Sequence, residues 1–328
     1  MLIAIKKHIL IFMMLLPALI CQAQQDAQFN QYIFNGIYIN PAYAGYKEQV
    51  FLHSALRSQW VGVDGAPQTA SVAIDGVTDY TRNVGLGLLI SHDQIGAQSN
   101  LSAYANYAYR LQVGKLESTR LSFGLGLGAV QLGIDGSKMN PTDLNDQFIP
   151  QTKLTTLLPD ARAGIYFSTL HYFAGFSAVN ILGQYVKSGR DSELLTPIPK
   201  PHYYLSAGAL LVVNPSMKFK PSFLLKDDLA GPSSLDLNAF MLFKERFWLG
   251  GFYRTSIITY NKDYLERDLR KKSAVGVIAQ IFATEKLRID YSFDYSLNKL
   301  RNYNYGSHEI SIGLYFGNSR SDQPKCYF

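Results

Sequence analysis

The 328-residue sequence is poor in cysteine and in charge, and both shortages limit what the chain can be. Its two cysteines, Cys21 and Cys326, cannot supply the several disulfides on which small secreted domains depend. Charged residues make up 17% of the chain, below the ~25% that is usual in soluble domains. The net charge of +6 comes from basic residues that are scattered along the chain, so we expect no nucleic-acid partner.

Motifs that carry chemistry are also missing from the sequence. It has no HExxH, GxSxG, CxxC or phosphate-loop pattern, and its six histidines lack metal-ligand spacing. Gly124, Gly126 and Gly128 are faintly similar to a dinucleotide-binding fingerprint, but they alternate with apolar residues inside a predicted strand. They therefore indicate small inward-facing positions. We predict no catalytic, cofactor-binding or metal-binding residues, no cofactor and no enzymatic activity.

The N-terminus has the pattern of an export signal. Two lysines precede an unbroken apolar stretch at 9–20, and small residues suited to a signal peptidase end at Ala23. A lipid anchor on Cys21 is disfavoured because the preceding residue, Ile20, is large. We predict a signal peptide at residues 1–23 that is cleaved after Ala23, which leaves Cys326 as the only thiol.

Beyond Ala23, no apolar run approaches the ~18 residues that a membrane-spanning helix needs. The sequence instead alternates apolar and polar residues, most clearly at 287–296 and also at 121–129 and 235–243. A soluble β-sandwich shows the same alternation. The export signal and the length of the strands favour a barrel in the outer membrane.

The sequence predicts an all-β fold, a transmembrane antiparallel β-barrel of about 14 strands, with 12 or 16 as alternatives. The longest predicted connections all follow odd-numbered strands, as expected if they face outward and both chain ends face the periplasm. The predicted strands are 48–58, 67–75, 83–92, 98–111, 119–131, 160–168, 170–178, 202–213, 217–225, 234–243, 246–255, 272–283, 286–297 and 307–317. Arg288, Asp290 and Asp294 fall on one predicted inward face, which indicates a wet, charge-balanced interior.

Several blocks of the sequence together resemble one known family. They are Gln28-Phe29-Asn30-Gln31-Tyr32-Ile33-Phe34-Asn35, Asn40-Pro41-Ala42-Tyr43-Ala44-Gly45, Arg57-Ser58-Gln59-Trp60, Gly85-Leu86-Gly87, Tyr107-Ala108-Tyr109-Arg110, Asp236-Leu237-Asn238-Ala239, Tyr253-Arg254 and Ser307-His308-Glu309-Ile310. In this order they resemble the PorP/SprF family of type IX secretion system outer-membrane proteins. The resemblance covers nearly the whole chain after residue 23.

This resemblance implies a role in secretion at the outer membrane of a Gram-negative bacterium. It implies a non-enzymatic component that supports export or surface attachment of cargo with a C-terminal sorting domain, such as large adhesins, and in some bacteria gliding motility. The implied partners are that cargo, the periplasmic ring lipoprotein and its partner protein, and outer-membrane lipid. A passive or ligand-gated transport barrel is the alternative, motivated by the polar inward face.

We divide the chain into a signal peptide at 1–23, an N-terminal periplasmic segment at 24–47, the barrel at 48–317 and a C-terminal tail at 318–328. The Asn40-Pro41 pair favours a turn, and Gly45 permits a positive φ. We therefore expect a short ordered segment that folds back at the periplasmic mouth, with a plain tether as the alternative. The tail has no role that the sequence reveals.

Overall fold

In the described part of the chain, fifteen strand segments form one antiparallel sheet that closes on itself. In this computed structural model the described residues are 29–78, 81–116, 118–139, 150, 152–185, 198–260, 262, 272–317 and 328. The strands are β1 (Val50–Ser58), β2 (Gln68–Val77), β3 (Val84–Ile95), β4 (Gln98–Gln112), β5 (Arg120–Asp135), β6 (Lys153–Ser168), β7 (Tyr172–Val179), β8 (His202–Ala209), β9 (Leu211–Asn214), β10 (Met217–Asp227), β11 (Ser233–Phe243), β12 (Phe247–Ile257), β13 (Lys272–Phe282), β14 (Leu287–Ser296) and β15 (Ser307–Phe316).

Neighbouring strands in sequence are neighbours in the sheet, and β1 pairs with β15 to close the ring. β8 and β9 both pair with β10 and form one barrel strand that is interrupted at Leu210. The prediction of a fourteen-strand antiparallel barrel is therefore confirmed. We call the end of the barrel at Ser58 and Ser307 the outer end, and the end at Val50 and Phe316 the inner end.

The two faces of the barrel wall have opposite character. Along β14, every second side chain from Arg288 to Ser296 is buried and polar, whereas the alternate residues, such as Tyr291, are partly or fully exposed. The outer surface of the other strands is likewise apolar, with exposed residues such as Leu125 and Val277. Polar residues inside and apolar residues outside are the arrangement that a lipid environment selects in barrels. No helix among the described residues is long and apolar enough to cross a membrane.

The structure differs from the predicted strands at a few boundaries. β6 starts at Lys153, seven residues before the predicted start, because the β5–β6 hairpin extends beyond its neighbour β7. The connection between β3 and β4 is a tight turn at Gly96 and Ala97, where Gly96 has a φ of 56°. The third connection, predicted at 92–96, is therefore shorter than expected.

Six short 3-10 helices lie outside the strands in the described part of the chain. Three of them come before β1 and are packed within the ring of strands. The six are Gln31–Ile33, Gly36–Tyr38, Pro41–Tyr43, Gly136–Lys138, Gly183–Tyr185 and Lys299–Asn302.

Candidate interaction site in the barrel lumen

The N-terminal segment fills the barrel lumen. Residues 29–47, here called the plug, run from the outer half of the lumen at Asn30 down to the inner end at Lys47. Phe34 and Tyr43 are almost completely buried in it. The sequence suggested a segment at the periplasmic mouth, but the described part of this segment lies deeper inside the barrel. Its apolar and aromatic side chains are removed from water there by contact with the lumenal face of the strands. The boundary at residue 24 lies outside the described residues.

The local shape of the plug follows from its sequence. Asn40 has an extended backbone and its side-chain Oδ1 accepts from the Ala42 N–H at 2.9 Å, which caps the short helix that begins with Pro41. Gly45 has a φ of 75°, a value that favours glycine, and its N–H donates to the Asp75 carboxylate at 2.9 Å. The turn and the positive φ expected from the sequence are both confirmed.

Glycines in the wall let the plug backbone approach closely. A Cβ at Gly85 would lie 2.0 Å from the Ala44 carbonyl oxygen, and a Cβ at Gly124 would lie 2.1 Å from the Ala42 nitrogen. At Gly164 a Cβ would meet the side chain of Asn40 at 2.2 Å. Of the three small inward-facing positions predicted for β5, Gly124 therefore forms part of the seat of the plug, whereas Gly126 and Gly128 face residues of the wall.

Basic side chains of the wall donate to backbone carbonyls of the plug. The Lys220 Nζ lies 2.8 Å from the Ile33 oxygen, and the Arg162 guanidinium lies 2.7 Å from the Tyr38 oxygen and 3.1 Å from that of Ile37. Charge-assisted bonds of this kind are stronger than neutral ones. They bind the main chain of the plug rather than particular side chains.

Acidic side chains of the wall accept hydrogen bonds from the N–H groups at the start of the plug. Glu309 accepts from the Asn30 N–H at 3.0 Å and from the Gln31 N–H at 3.3 Å. The Asn30 side chain donates to Asp294 at 2.8 Å. Arg57 bridges the two acids, at 2.8 Å from Asp294 and 3.2 Å from Glu309. This buried network joins the plug to β1, β14 and β15.

A second charged group anchors the plug at Tyr32. Arg254 makes a two-pronged ion pair with Asp236, with both N–O distances at 2.9 Å, and Lys226 lies 3.2 Å from the same carboxylate. The Tyr32 hydroxyl donates to Asp236 at 3.2 Å. Burial raises the pKa of the Tyr32 phenol well above its usual range, so the hydroxyl stays protonated and able to donate.

Below this polar layer, the lumen on the side of β10 to β13 is lined mainly by apolar and aromatic side chains, with the Lys220 ammonium among them. Phe34 packs edge-on against Phe240, with ring centres 5.4 Å apart, and tilted against Trp248 at 5.9 Å. Buried aromatic pairs of this geometry stabilise by about 0.5 to 1.5 kcal/mol beyond the area they bury. The plug is therefore held by apolar packing as well as by charged groups.

The blocks that carry the family resemblance meet at the plug, although they are far apart in the sequence. The first two blocks, from Phe29 onward, lie in the plug, while Arg57, Asp236, Arg254 and Glu309 form its charged anchors. The sequence pattern alone gives these residues no binding role. One local signal was present, because Asp236 and Arg254 are directly opposite each other across the β11–β12 hairpin.

The charged residues predicted for the lumen have two different environments. Arg288 and Asp294 reach the plug, through the Phe34 carbonyl and the Asn30 side chain respectively. Asp290 instead accepts from Ser311 on the wall at 2.6 Å. Among the described residues, no group of three or more His, Cys, Asp or Glu side chains could hold a metal ion.

Solved structures similar to this chain are outer-membrane barrels at very low identity. The outer membrane protein Omp33 of Acinetobacter baumannii is 6% identical, with 82% of this chain and 100% of that chain covered and a TM-score of 0.48. A FadL homologue of Pseudomonas aeruginosa is 9% identical, with 85% and 93% covered and a TM-score of 0.46. A mutant of the Rh. blastica porin is 9% identical, with 82% and 99% covered and a TM-score of 0.34.

No match to a curated protein sequence was found. A family model, described as type IX secretion system membrane protein PorP/SprF, matches residues 21–314, which include the plug and nearly all of the barrel. The anchors of the plug lie within this match. The chain belongs to the PorP/SprF family of type IX secretion system membrane proteins.

Proposed function

We propose that this chain is a non-enzymatic, plugged outer-membrane component of the type IX machinery that supports export or surface attachment of sorting-domain cargo such as large adhesins. In bacteria that glide, this activity would also support motility. The observation that carries the proposal is the filled lumen, because the plug at 29–47 is bound by strands on different sides of the barrel. We therefore propose that the barrel is a scaffold or docking element rather than an open conduit.

The size of the barrel supports the same reading. With strands ~4.8 Å apart and a tilt of about 40°, fourteen strands enclose a backbone cylinder of roughly 14 Å radius. Side chains and the plug occupy that space. A folded cargo domain of ordinary size does not fit through such a lumen even without the plug.

The proposed partners follow from family membership. We propose that the inner end contacts the periplasmic ring lipoprotein and its partner protein, and that the outer connections contact the cargo. We further propose that the export signal at 1–23 is removed, and that residue 24 is the first of the N-terminal segment.

We propose that the buried carboxylates of the lumen have a structural role and not a catalytic one. The buried carboxylates Asp236, Asp294 and Glu309 are each bound by an arginine and by the plug. A general acid or base must reach its substrate within hydrogen-bond distance, and these groups are already covered.

The test is a strain without this gene, complemented with the wild-type chain or with a chain lacking 29–47, and a quantitative proteome of medium and cell surface. Loss of one or two large surface proteins would mark the chain as a dedicated cargo partner. Loss of all sorting-domain proteins would make it a core component. Normal export of every sorting-domain protein would refute the proposal.

The alternative function, a passive or ligand-gated transport barrel, is favoured only by the polar side chains on the inner wall. It predicts ion or solute flux through the pure wild-type protein in a lipid bilayer. The plugged scaffold predicts no steady conductance, so one recording distinguishes the two.

A further inference from the structure

The last residue of the sequence lies inside the lumen, next to the plug. Phe328 is only 4% exposed, although the last strand ends at Phe316 and the family model ends at residue 314. It belongs to the same buried cluster as Phe34 and Tyr43 of the plug. This placement gives Phe328 a role that neither the family match nor the sequence pattern assigns.

Three groups surround Phe328, from the wall and from the plug. Its ring centre lies 4.7 Å from that of Phe173 on β7, and the Lys220 Nζ lies 5.5 Å from the same ring. Its backbone oxygen accepts a hydrogen bond from the Tyr43 hydroxyl. An ammonium over an aromatic face is an attractive contact that strengthens when both groups are removed from water.

The groups that hold Phe328 also hold the plug. Lys220 donates to the Ile33 carbonyl as well as lying over the Phe328 ring. Tyr43 lies in the helix Pro41–Tyr43, whose backbone rests on the glycines of the wall. Loss of the Phe328 ring would therefore remove packing from Lys220 and loosen the residue whose backbone oxygen Tyr43 binds.

The space around the ring is closely filled. A cavity of about 30 Å³ remains between the plug and the wall, and Tyr43, Phe173 and Phe328 all line it. A volume of this size holds about one water molecule. The site therefore fits a single aromatic side chain, and removal of that side chain leaves a hole that the neighbouring groups must close.

We infer that the inner end of the lumen contains a binding site for an aromatic residue, that Phe328 occupies it, and that its occupancy holds the plug against the wall. The site takes a residue whose aromatic ring lies beside the Lys220 ammonium. The backbone oxygen of that residue accepts a hydrogen bond from the Tyr43 hydroxyl. This inference does not depend on the secretion role.

The test is hydrogen exchange, followed by mass spectrometry, of the full chain in lipid. The Phe328→Ala variant is expected to speed exchange of plug residues 36–47 by roughly tenfold or more, because large-to-small changes in packed sites cost several kcal/mol. Phe316→Ala is the matched control, since Phe316 is 49% exposed on the last strand, and it should leave plug exchange unchanged. A synthetic peptide of residues 321–328 should restore slow exchange to Phe328→Ala, whereas the same peptide ending in alanine should not.

Unchanged plug exchange in Phe328→Ala would overturn the inference. Tyr43→Phe provides a second variant that preserves ring packing and removes only the hydroxyl that donates to Phe328. It should speed plug exchange by a smaller factor of about five, as expected for one lost hydrogen bond. Wild-type exchange in Tyr43→Phe would contradict the inference even if Phe328→Ala failed to form a barrel.

Discussion

A single methyl group at position 124 should loosen the plug without affecting the barrel. Gly124 faces the lumen on β5, and a Cβ there would lie 2.1 Å from the Ala42 nitrogen and 2.4 Å from its Cα. These are main-chain atoms and cannot rotate away. The Gly124→Ala variant therefore requires Pro41 and Ala42 to move away from the wall.

The size of the effect follows from this geometry. The Ala42 nitrogen must retreat from 2.1 Å to at least 3.4 Å to reach an ordinary contact with the new methyl group. Overpacking of this kind costs about 1 to 3 kcal/mol. Since about 1.4 kcal/mol is a factor of ten, the population with the inner half of the plug detached should rise by about 5- to 150-fold.

Hydrogen exchange of residues 40–46 measures this population directly, and bilayer conductance reports whether detachment opens the lumen. The matched control is Gly133→Ala on the same strand, where a Cβ would meet side-chain atoms, namely the Ser99 hydroxyl at 2.5 Å, the end of the Lys153 side chain at 3.3 Å and the Thr155 methyl at 3.5 Å. These groups can rotate, so the control should behave as wild type. Wild-type exchange in Gly124→Ala would refute the claim that the glycine is needed for plug seating.

Three further predictions concern the anchors and the lumen. Arg254→Met should lower the unfolding free energy by about 3 kcal/mol or more, because it leaves the Asp236 carboxylate buried without its two-pronged partner; an unchanged thermal midpoint would contradict this. Deletion of 29–47 should give steady bilayer conductance where the wild-type chain gives none, and equal traces would show that the plug does not block the lumen. Burial raises the pKa of Tyr38 and Tyr43 above the usual 10.0, so the contribution of these phenols to plug stability should be fully present below about pH 10 and be lost as the pH rises above it; tyrosinate absorbance in the native protein that matches free tyrosine would disprove this.

The barrel could be predicted from the sequence because alternation and hairpin turns are local signals. The tight turn at Lys244 and Glu245, where both residues have positive φ, sets the register of β11 and β12 and so the pairing of Asp236 with Arg254. The plug could not be predicted in this way. Its apolar residues do not reveal which surface covers them, and its anchors on β1 and β15 meet only when the chain ends pair across the whole ring.

The glycines illustrate the same limit. Their alternation in β5 indicated inward-facing positions, which is a local inference. That Gly124 accommodates Ala42, whereas Gly126 faces the Asn106 side chain, depends on a contact between segments that are far apart in the sequence. The predicted strand 202–213 is interrupted at Leu210 for a similar reason. The Leu210 N–H donates to the carbonyl of His171, which lies in the connection between β6 and β7 and is distant in sequence.

The position of the plug beside the junction of β1 and β15 has a consequence for biogenesis. Glu309 on β15 binds both Asn30 of the plug and Arg57 on β1. The last strand therefore pairs with the first through residues that also bind the plug. A completed cylinder would have to admit that segment lengthwise through its mouth. We therefore expect assembly to pass through an open, curved sheet that folds around residues 29–47, with the pairing of β1 and β15 as the last event.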